Sequence, residues 1–366
     1  MKKLVLTLFA LVMGVCMALA QSNSSTIDVS GDGNGASVSQ VGDSNGSGVT
    51  QDGDANYAST TQSGTLNAST VGQTGESNGS YVNQYGSGNS AGVAQDGTSN
   101  YSDAYQSGDD NDVSIAQAGS NYSGAYQYGN SNTGTVAQDG SNSSNLSQGI
   151  SNNLATVTQA GSNYSDVGQD DSDNTATVSQ DGAGNSSYVH QWDGDANTAT
   201  TTQTGDGNYS HTDQYSVSNS NTSTVSQEGD GNSNYSNQGY GAGNDVTIGQ
   251  LGDGNYSYSS QYYGDGNTAT VGQTGDGNSS YTYQYDGDTN SADIGQTGDY
   301  NSSGVDQYGS LNDSDVMQSG MSNSSYIYNS GDSNVSTVSQ DGTSNSSTIN
   351  VYGNGNTQSV SQSDGL

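Results

Sequence analysis

A polar periodicity of eleven residues runs through almost the whole chain, with single apolar positions between the polar ones. Gln recurs at 40, 51, 62, 73, 84, 95, 106 and 117, and it continues with small length changes to Gln362. Counted from each Gln, most units read Q-x-G-x-x-N-x-[A/S]-x-[V/I/T]-x. Val29, Asn329 and Val351 take the place of Gln in three units. A period this regular predicts a repeat architecture, in which stacked units share one core.

Each unit predicts one short strand and one tight turn. Gly two residues after Gln, with Asp, Asn and Ser around it, is typical of a turn. The following Asn, Ala or Ser, Val or Ile, and next Gln share parity, so in a strand they point to one face, while Tyr, Thr, Ser and Asp point to the other. We therefore predict an all-β fold, a β-solenoid of about 15 two-stranded rungs with about 22 residues per rung and amyloid-type cross-β stacking.

The units alternate between two kinds, which makes a pair of units the true repeat. One kind often continues Asn-Tyr-Ser after its turn, as at Asn100-Tyr101-Ser102, and the other often reads Asn-Thr-Ala-Thr-Val, as at Asn174-Thr175-Ala176-Thr177-Val178. Length changes follow the same alternation. Because insertions in a repeat array fall in loops, we expect each of the two turns to tolerate its own kind of length change.

The composition requires a polar source of stability. Only 28% of residues are hydrophobic, against about 45–50% in ordinary globular proteins, which excludes an enzyme built on a large aliphatic core. If each inward Gln and Asn lies over its equivalent in the next rung, their amides form ladders parallel to the backbone hydrogen bonds, and each bond contributes about 1 kcal/mol net. The amyloid-core ladder residues that we predict include Gln40, Asn45, Gln51, Gln62, Asn67, Gln73, Gln84, Gln95, Asn100, Gln106, Gln180, Gln250, Gln273, Gln340 and Gln362.

The first twenty residues have the pattern of a secretory signal peptide. Lys2 and Lys3 precede an apolar run, and Ala18-Leu19-Ala20 gives a small-x-small cleavage pattern. We therefore predict a signal peptide at 1–20, the solenoid at 21–362 and a short tail at 363–366. Without the signal peptide the chain has 37 acidic side chains and no Lys, Arg or Cys. This charge excludes nucleic acid as a partner and disfavours anionic membranes.

The repeat Q-x-G-x-x-N-x-A at a spacing of eleven, paired behind a secretory signal, resembles curlin, the subunit family of bacterial curli fibres. The similarity covers Asn23 to Gln362. It implies a secreted, extracellular functional amyloid of the cell surface and biofilm matrix, with roles in adhesion and aggregation. It also implies self-assembly, a nucleator subunit and an outer-membrane secretion pore. The chain departs from the family in its much larger number of rungs, in its acidity, and in repeats that begin almost at Gln21, which leaves little room for the Gly-rich leader of curlin.

The two ends of the repeat array match each other instead of ending in polar caps. Asn23–Val29 reads NSSTIDV and Asn345–Val351 reads NSSTINV. Uncapped end rungs suit a polymer, because a solenoid depends on stacking neighbours.

Acidic turn residues give the one cofactor candidate, Ca²⁺. Five Asp occupy the same turn position in successive rungs, where stacking would place neighbours about 5 Å apart with about 0.8 kcal/mol of repulsion in water. Either Ca²⁺ binds there, or the residues form a solvated charged edge that controls the pH and salt dependence of assembly. These Ca²⁺ candidates are Asp206, Asp230, Asp253, Asp276 and Asp299.

Two further patterns lie on outward-facing positions. Thr-x-Thr pairs such as Thr175/Thr177 could match an ice lattice, but Asp245, Asp293, Asp313 and Asp315 interrupt them, and Thr also favours strands on any solvent face. The tyrosines are expected either to stack and stiffen one sheet or to serve adhesion, and we place six of them in one column: Tyr101, Tyr122, Tyr164, Tyr209, Tyr235 and Tyr256.

The sequence pattern does not indicate catalysis or metal binding. His190 and His211 are the only histidines, on adjacent rungs with Asp213 near. A metal site needs three or four ligands, so we interpret them as neighbours by chance. We expect Trp192 in the turn that follows Gln191 and assign it no special role. We predict no catalytic residues and no enzyme activity. The alternative to a fibre subunit is a soluble, monomeric β-solenoid that binds Ca²⁺ or ice.

Overall fold

A computed structural model describes residues 22–215 and 219–364 as 29 β-strands. The segment 1–20, where we place the signal peptide, lies outside the described residues. One sheet, here called the threonine sheet, contains β1 (Ser24–Ser30), β3 (Gly46–Asp54), β5 (Ala68–Glu76), β7 (Ser90–Thr98), β9 (Asp112–Gly119), β11 (Thr133–Gly140), β15 (Thr198–Thr204), β17 (Thr222–Glu228), β19 (Asp245–Leu251), β21 (Thr268–Thr274), β23 (Ser291–Thr297), β25 (Asp313–Met321), β27 (Val335–Thr343) and β29 (Thr357–Ser363).

The second sheet, here called the tyrosine sheet, faces the first. It contains β2 (Gly35–Asp43), β4 (Tyr57–Thr65), β6 (Gly79–Ser87), β8 (Tyr101–Ser107), β10 (Tyr122–Tyr128), β12 (Ser143–Gln148), β16 (Tyr209–Tyr215), β18 (Ser233–Gly239), β20 (Tyr256–Tyr262), β22 (Ser279–Tyr285), β24 (Ser302–Tyr308), β26 (Ser324–Ser330) and β28 (Ser346–Tyr352). β13 (Leu154–Gln169) and β14 (Thr175–Trp192) are long strands that begin in the threonine sheet and end in the tyrosine sheet.

Every described strand pairs in parallel with the equivalent strand one rung away, and the register aligns like residues. Gln51 of β3 lies beside Gln73 of β5, for example, and the alignment persists where the spacing changes, as between Gln203 and Gln227. The fold is the all-β solenoid that the periodicity predicts, with about fifteen turns.

The core lies between the two sheets and alternates with the outer faces residue by residue. Inward positions are almost fully buried Asn, Ala or Ser, Val or Ile, and Gln, as the parity predicts. The aliphatic part forms two clusters, one from Val49 to Ala199 and one from Val246 to Val351. Between them the inward positions include Thr201, Thr212 and Asn234, so the middle rungs have the most polar core.

Tight turns join the two sheets and depend on glycine. In the turn that follows Gln62, Gly64 has φ +128°, and a Cβ there would lie 1.9 Å from the carbonyl oxygen of Gly86 in the next rung. The backbone of one turn therefore packs directly on the backbone of the next, which only Gly permits. Two residues later, Leu66 adopts the left-handed conformation with φ 59°. No helix in the described residues is long and apolar enough to cross a membrane.

Candidate functional site

The inward glutamines form two continuous amide ladders, one at the edge of each sheet. In the threonine sheet, Gln Nε2 donates to Gln Oε1 of the next rung at 2.7–3.0 Å, without a break from Gln51 to Gln362. In the tyrosine sheet the same bonds run from Gln40 to Gln307 at 2.8–3.0 Å. The ladders thus connect neighbouring rungs inside the core.

Each Gln amide also joins the two sheets. Gln62 Nε2 donates to the carbonyl oxygen of Gly46 on the facing strand at 2.9 Å, in addition to its bond to Gln84. Both amide protons are therefore used, which satisfies a donor that has no access to water.

The asparagines just before each strand also form ladders, but they donate in the direction opposite to that of the glutamines. Asn67 donates its backbone N–H and Nδ2 to Oδ1 of Asn45 in the preceding rung, both at 3.1 Å, and Nδ2 also reaches the carbonyl oxygen of Gly86 at 2.9 Å. Gln amides therefore donate toward the C-terminal end of the solenoid and Asn amides toward the N-terminal end. The stack has a built-in direction.

The structure puts every ladder residue named above on an inward position. Those between the end rungs are 0–2% exposed, and Gln40 and Gln362, in the first and last rungs of their ladders, are half-buried. Each Gln among them donates to or accepts from a neighbouring rung, as do Asn45, Asn67 and Asn100.

Two positions interrupt the ladders. Asn329 is buried where a Gln is expected, but its shorter side chain does not continue the Gln-to-Gln bonds. Gln307 Nε2 and Asn329 Nδ2 instead both donate to Ser314 Oγ across the core, at 2.8 and 2.9 Å. At the other end of the chain, Val29 offers no donor to Gln51, whose Oε1 is buried without a partner among the described residues.

Both ends of the solenoid present strands with one unpaired edge. Within the described residues, β1 and β2 pair only with β3 and β4, and β28 and β29 pair only with β26 and β27. Ile27 and Val29 of β1 are 49% and 43% exposed, although they occupy positions that are buried in the inner rungs. At the opposite end, Ile349 and Val351 of β28 form the last inward row of the tyrosine sheet.

The five Ca²⁺ candidates form one acidic turn edge, and each carboxylate already has a structural partner. Asp230 Oδ1 accepts the backbone N–H of Asp206 at 2.8 Å, and Asp253 Oδ1 accepts that of Asp230 at 2.8 Å. The same bond recurs along the edge to Asp276 and Asp299, each at 3.0 Å. One oxygen of each carboxylate thus holds the turn of the preceding rung, which gives the Asp column a structural role whether or not an ion binds.

The outer faces of the two sheets differ completely. The threonine sheet exposes small residues, among them one column with Thr in seven successive rungs: Thr135, Thr156, Thr177, Thr200, Thr224, Thr247 and Thr270. Beyond Thr270, Asp293 and Asp315 continue that column, and Asp245 interrupts the neighbouring one. Every tyrosine in a described strand lies on the outer face of the tyrosine sheet.

The tyrosines do not form the single column predicted above. Tyr209 lies beside Ser233, and Tyr235 lies beside His211 one column over, so the assignment of Tyr235 to the column was wrong. Rings instead alternate between columns, with centroids 5.3 Å apart for Tyr209–Tyr235 and an interplanar angle of 44°. A rung spacing of about 4.8 Å favours this alternation, because neighbouring rings can then tilt or offset, the geometry that aromatic pairs prefer.

Two tyrosines fold over glycines to cover acidic side chains, which the sequence analysis missed. Tyr126 lies against Gly124 and donates to Asp103, and Tyr326 lies against Gly304 and donates to Asp306. Burial raises the pKa of both aspartates, although the tyrosine hydroxyl acts in the opposite direction. The signal in the sequence was a Gly next to each Asp: Gly124 is the register partner of Asp103 one rung away, and Gly304 lies two residues before Asp306 on the same strand.

The two histidines come together with two aspartates in one cluster on the tyrosine sheet. Asp213 Oδ1 is 3.3 Å from His190 Nδ1 and 2.9 Å from His211 Nε2. The second nitrogen of His190 lies 3.9 Å from Asp166 Oδ2, a residue that the sequence analysis did not connect with the cluster. Gly168, beside His190 in the register, leaves the space that this approach needs.

The cluster is electrostatically coupled. Hydrogen bonds to Asp166 and Asp213 raise the pKa of His190 to about 9. Burial alone would raise the pKa of Asp213, but its bonds to His190 and His211 outweigh that effect and lower the pKa to about 2. Trp192 is not in a turn as expected but ends β14, with its ring 5.4 Å from that of His190.

Comparison with known families supports the repeat assignment. The family model described as curlin associated repeat matches residues 53–86, 86–119, 172–205, 194–229, 218–252, 241–275, 264–298 and 287–320, which together make up more than half of the chain. No curated protein sequence matches the chain.

Proposed function

Since the chain belongs to the curlin repeat family, we propose that it is a structural fibre subunit that stacks end to end into curli-like, amyloid-type fibres on the cell surface. In this proposal the functional sites are the two end rungs, and the activity is templating. An exposed end rung pairs its backbone and its Asn ladders with the first rung of the next copy.

The observation that supports this most is that the end strands keep the internal register while their outer edges are unpaired. Extending the register would pair β29 with β1 of the next copy and β28 with β2. An unpaired strand edge is a template for another chain. The parallel strand register and the direction of the Asn ladders give the stack polarity, so only head-to-tail stacking continues them.

At the junction between two copies, Val would occupy positions that hold Gln in the inner rungs. In the extended register, Gln362 lies next to Val29 of the following copy, and Val351 lies next to its Gln40. Ile27 and Val29 lose most of their exposure in this arrangement. Full burial of such a side chain contributes about 1.5–3 kcal/mol. Ile27 and Val29 would therefore favour docking of one copy on the next before hydrogen bonds form across the junction.

Partners and location follow from the family. The proposal places the fibre outside the cell, with a curli-type nucleator subunit and an outer-membrane secretion pore as partners, and with roles in adhesion and aggregation. The predicted signal peptide at 1–20 supports secretion.

Purified mature chain should therefore form fibres that bind thioflavin T and are visible by electron microscopy, after a lag that preformed seeds remove. A clear solution of β-rich monomers at high concentration would overturn the proposal. The rival, a monomeric solenoid that binds Ca²⁺ or ice, would then be tested by calorimetry with Ca²⁺ and by ice-recrystallisation inhibition.

The end-rung mechanism has a sharper test in seeded growth. We expect Ile27→Asp to slow elongation from wild-type seeds by tenfold or more, because in the extended register its carboxylate would be buried between Val49 and Val360 of the neighbouring copy, without a partner. Thr26→Asp is the matched control. It adds the same charge to β1 on the outward face, beside Gly48, and should elongate within about twofold of the wild type. Equal rates for both variants would argue against stacking through β1.

A further inference from the structure

We propose that His190, His211 and Asp213 form a site for one divalent transition-metal ion on the outer face of the tyrosine sheet, with Zn²⁺ as the reference ion. This site is built within one copy of the chain, so the inference goes beyond the proposed function and does not depend on fibre formation.

Three donor atoms converge on one point. His190, His211 and Asp213 each offer one ligand atom, a ring nitrogen or a carboxylate oxygen, and the three atoms lie within 4.8 Å of one another, the only such group of three among residues 22–215 and 219–364. Asp213 Oδ1 is 3.3 and 2.9 Å from His190 Nδ1 and His211 Nε2. With bonds of about 2.0–2.2 Å, tetrahedral Zn²⁺ holds its ligand atoms about 3.3 Å apart, so small side-chain rotations suffice.

The remaining nitrogens already have the partners that metal-binding histidines use. His190 Nε2 lies 3.9 Å from Asp166 Oδ2, and His211 Nδ1 lies 3.3 Å from the Tyr209 hydroxyl. A carboxylate or hydroxyl on the far nitrogen fixes the ring and directs the other nitrogen to the metal. A bound ion takes the place of the proton that otherwise joins His190 to Asp213.

The fold holds the three ligands in place without the ion. His190 of β14 and Asp213 of β16 are register partners, and His211 lies two residues before Asp213 on the same face. Their side chains are only 23–29% exposed. Beside them is a cleft of about 240 Å³ lined by His190, Trp192, Asp213 and Tyr215, with room for water as a fourth ligand.

The donor set selects the class of ion. Two imidazoles with one carboxylate suit Zn²⁺ or Cu²⁺, whereas Ca²⁺ takes six to eight oxygen ligands. The acidic turn edge offers only oxygen ligands, which are the ligands that Ca²⁺ takes. The two sites should therefore respond to different ions.

Trp192 provides a direct readout, because it is the single Trp of the chain and its ring lies 5.4 Å from His190. We expect Zn²⁺ to bind the full mature chain with a stoichiometry of one in calorimetry, unaffected by excess Ca²⁺. Cu²⁺ should quench Trp192 fluorescence, and excess Zn²⁺ should shift the quenching to higher Cu²⁺ concentration, because both ions compete for one site.

Substitution separates this site from general attraction of cations to an acidic protein. His211→Asn and His190→Asn should each weaken Zn²⁺ binding at least tenfold, whereas Asp112→Asn, which removes a carboxylate from the opposite face, should leave it unchanged. Circular dichroism checks that each variant folds, and the competition between Zn²⁺ and Cu²⁺ in the unmodified chain tests the site without any variant. Binding of many ions per chain, affinity unaffected by both His variants, or a Cu²⁺ quenching midpoint that excess Zn²⁺ does not shift would overturn the proposal.

Discussion

A single apolar substitution in the Gln ladder tests whether side-chain amides stabilise this fold. Gln261 is fully buried and occupies the middle of the tyrosine-sheet ladder. It accepts from Gln238 at 2.9 Å and donates to Gln284 at 2.8 Å. It also donates to the carbonyl oxygen of Asp245 at 3.1 Å. Gln261→Leu keeps a similar volume and removes all three bonds.

The magnitude follows from the groups that lose a partner. Oε1 of Gln284 and one N–H of Gln238 would remain buried without partners, and each such group costs about 1–3 kcal/mol. Burial of the leucine side chain offsets part of this loss. We therefore expect Gln261→Leu to lower the free energy of unfolding by about 2–5 kcal/mol.

The assay is denaturant unfolding of the freshly prepared monomeric chain, followed by circular dichroism. The expected change is a lower midpoint with an unchanged slope, since the surface exposed on unfolding stays nearly the same. Gln362→Leu is the matched control. Gln362 is half-buried in the last rung, and its removal breaks one ladder bond, from Gln340 at 2.7 Å. Water can replace that bond, so the loss should stay below about 1 kcal/mol.

A result of equal stability for Gln261→Leu and the parent would refute the reasoning. The aliphatic row of Val and Ile would then account for the stability of the core, and the ladders would serve only to fix register. Equal losses at Gln261 and Gln362 would likewise contradict it, because the argument depends on burial.

Four further predictions concern the turns, the core and the charge. Gly64→Ala should destabilise by about 2 kcal/mol or more because of its positive φ and the close carbonyl above it, whereas Gly72→Ala, which meets nothing within 4 Å, should be neutral in the same unfolding assay. Thr212→Val should raise the melting temperature, since the Thr212 hydroxyl is buried without a partner among the described residues; an unchanged or lower value would contradict this. The raised pKa of Asp306, caused mainly by burial, means that its ionised form is disfavoured in the folded state. Stability should therefore rise as pH falls through the raised pKa toward the ordinary value of about 4, and Asp306→Asn should flatten that dependence in thermal melts. Millimolar Ca²⁺ should shorten the lag of fibre formation by relieving repulsion along the acidic turn edge, and Asp253→Asn, whose amide oxygen can still accept the backbone N–H, should weaken the Ca²⁺ effect. An unchanged lag time across the Ca²⁺ titration would contradict this prediction.

The fold could be predicted from the sequence because two periods agree. Alternation within a strand decides which residues point inward, and the repeat of Gln decides which strand each residue lies beside. A slip of one residue would turn every Gln outward, so burial of Gln51, Gln73 and their equivalents leaves only one register. For the same reason the ladder residues could be named before the structure.

The outer faces were harder to predict, because there the repeat sets only position and not side-chain direction. His190, His211 and Asp213 could be recognised as neighbours from their offsets. The approach of His190 to Asp166 depends on the missing side chain of Gly168. The column of Tyr235, by contrast, follows from its offset from Gln238 and could have been predicted. Side-chain direction was also hard to predict at Asn329 inside the core. Its side chain is one methylene shorter than Gln, so its amide donates to Ser314 across the core and not to the next rung.

The distribution of charge suggests why growth along the axis should prevail over association of faces. Inward positions in the described rungs are Asn, Gln, Ser, Thr, Gly, Ala, Val, Leu and Ile, so end-to-end stacking buries no acidic side chain. Both outer faces and both turn edges contain Asp, and the mature chain offers no Lys or Arg to pair with them. Two solenoids side by side would therefore repel over about a Debye length, about 10 Å at 0.1 M salt. We infer that the chain forms single filaments at low salt, and that divalent cations or high salt, which screen the faces without altering the ends, bundle those filaments.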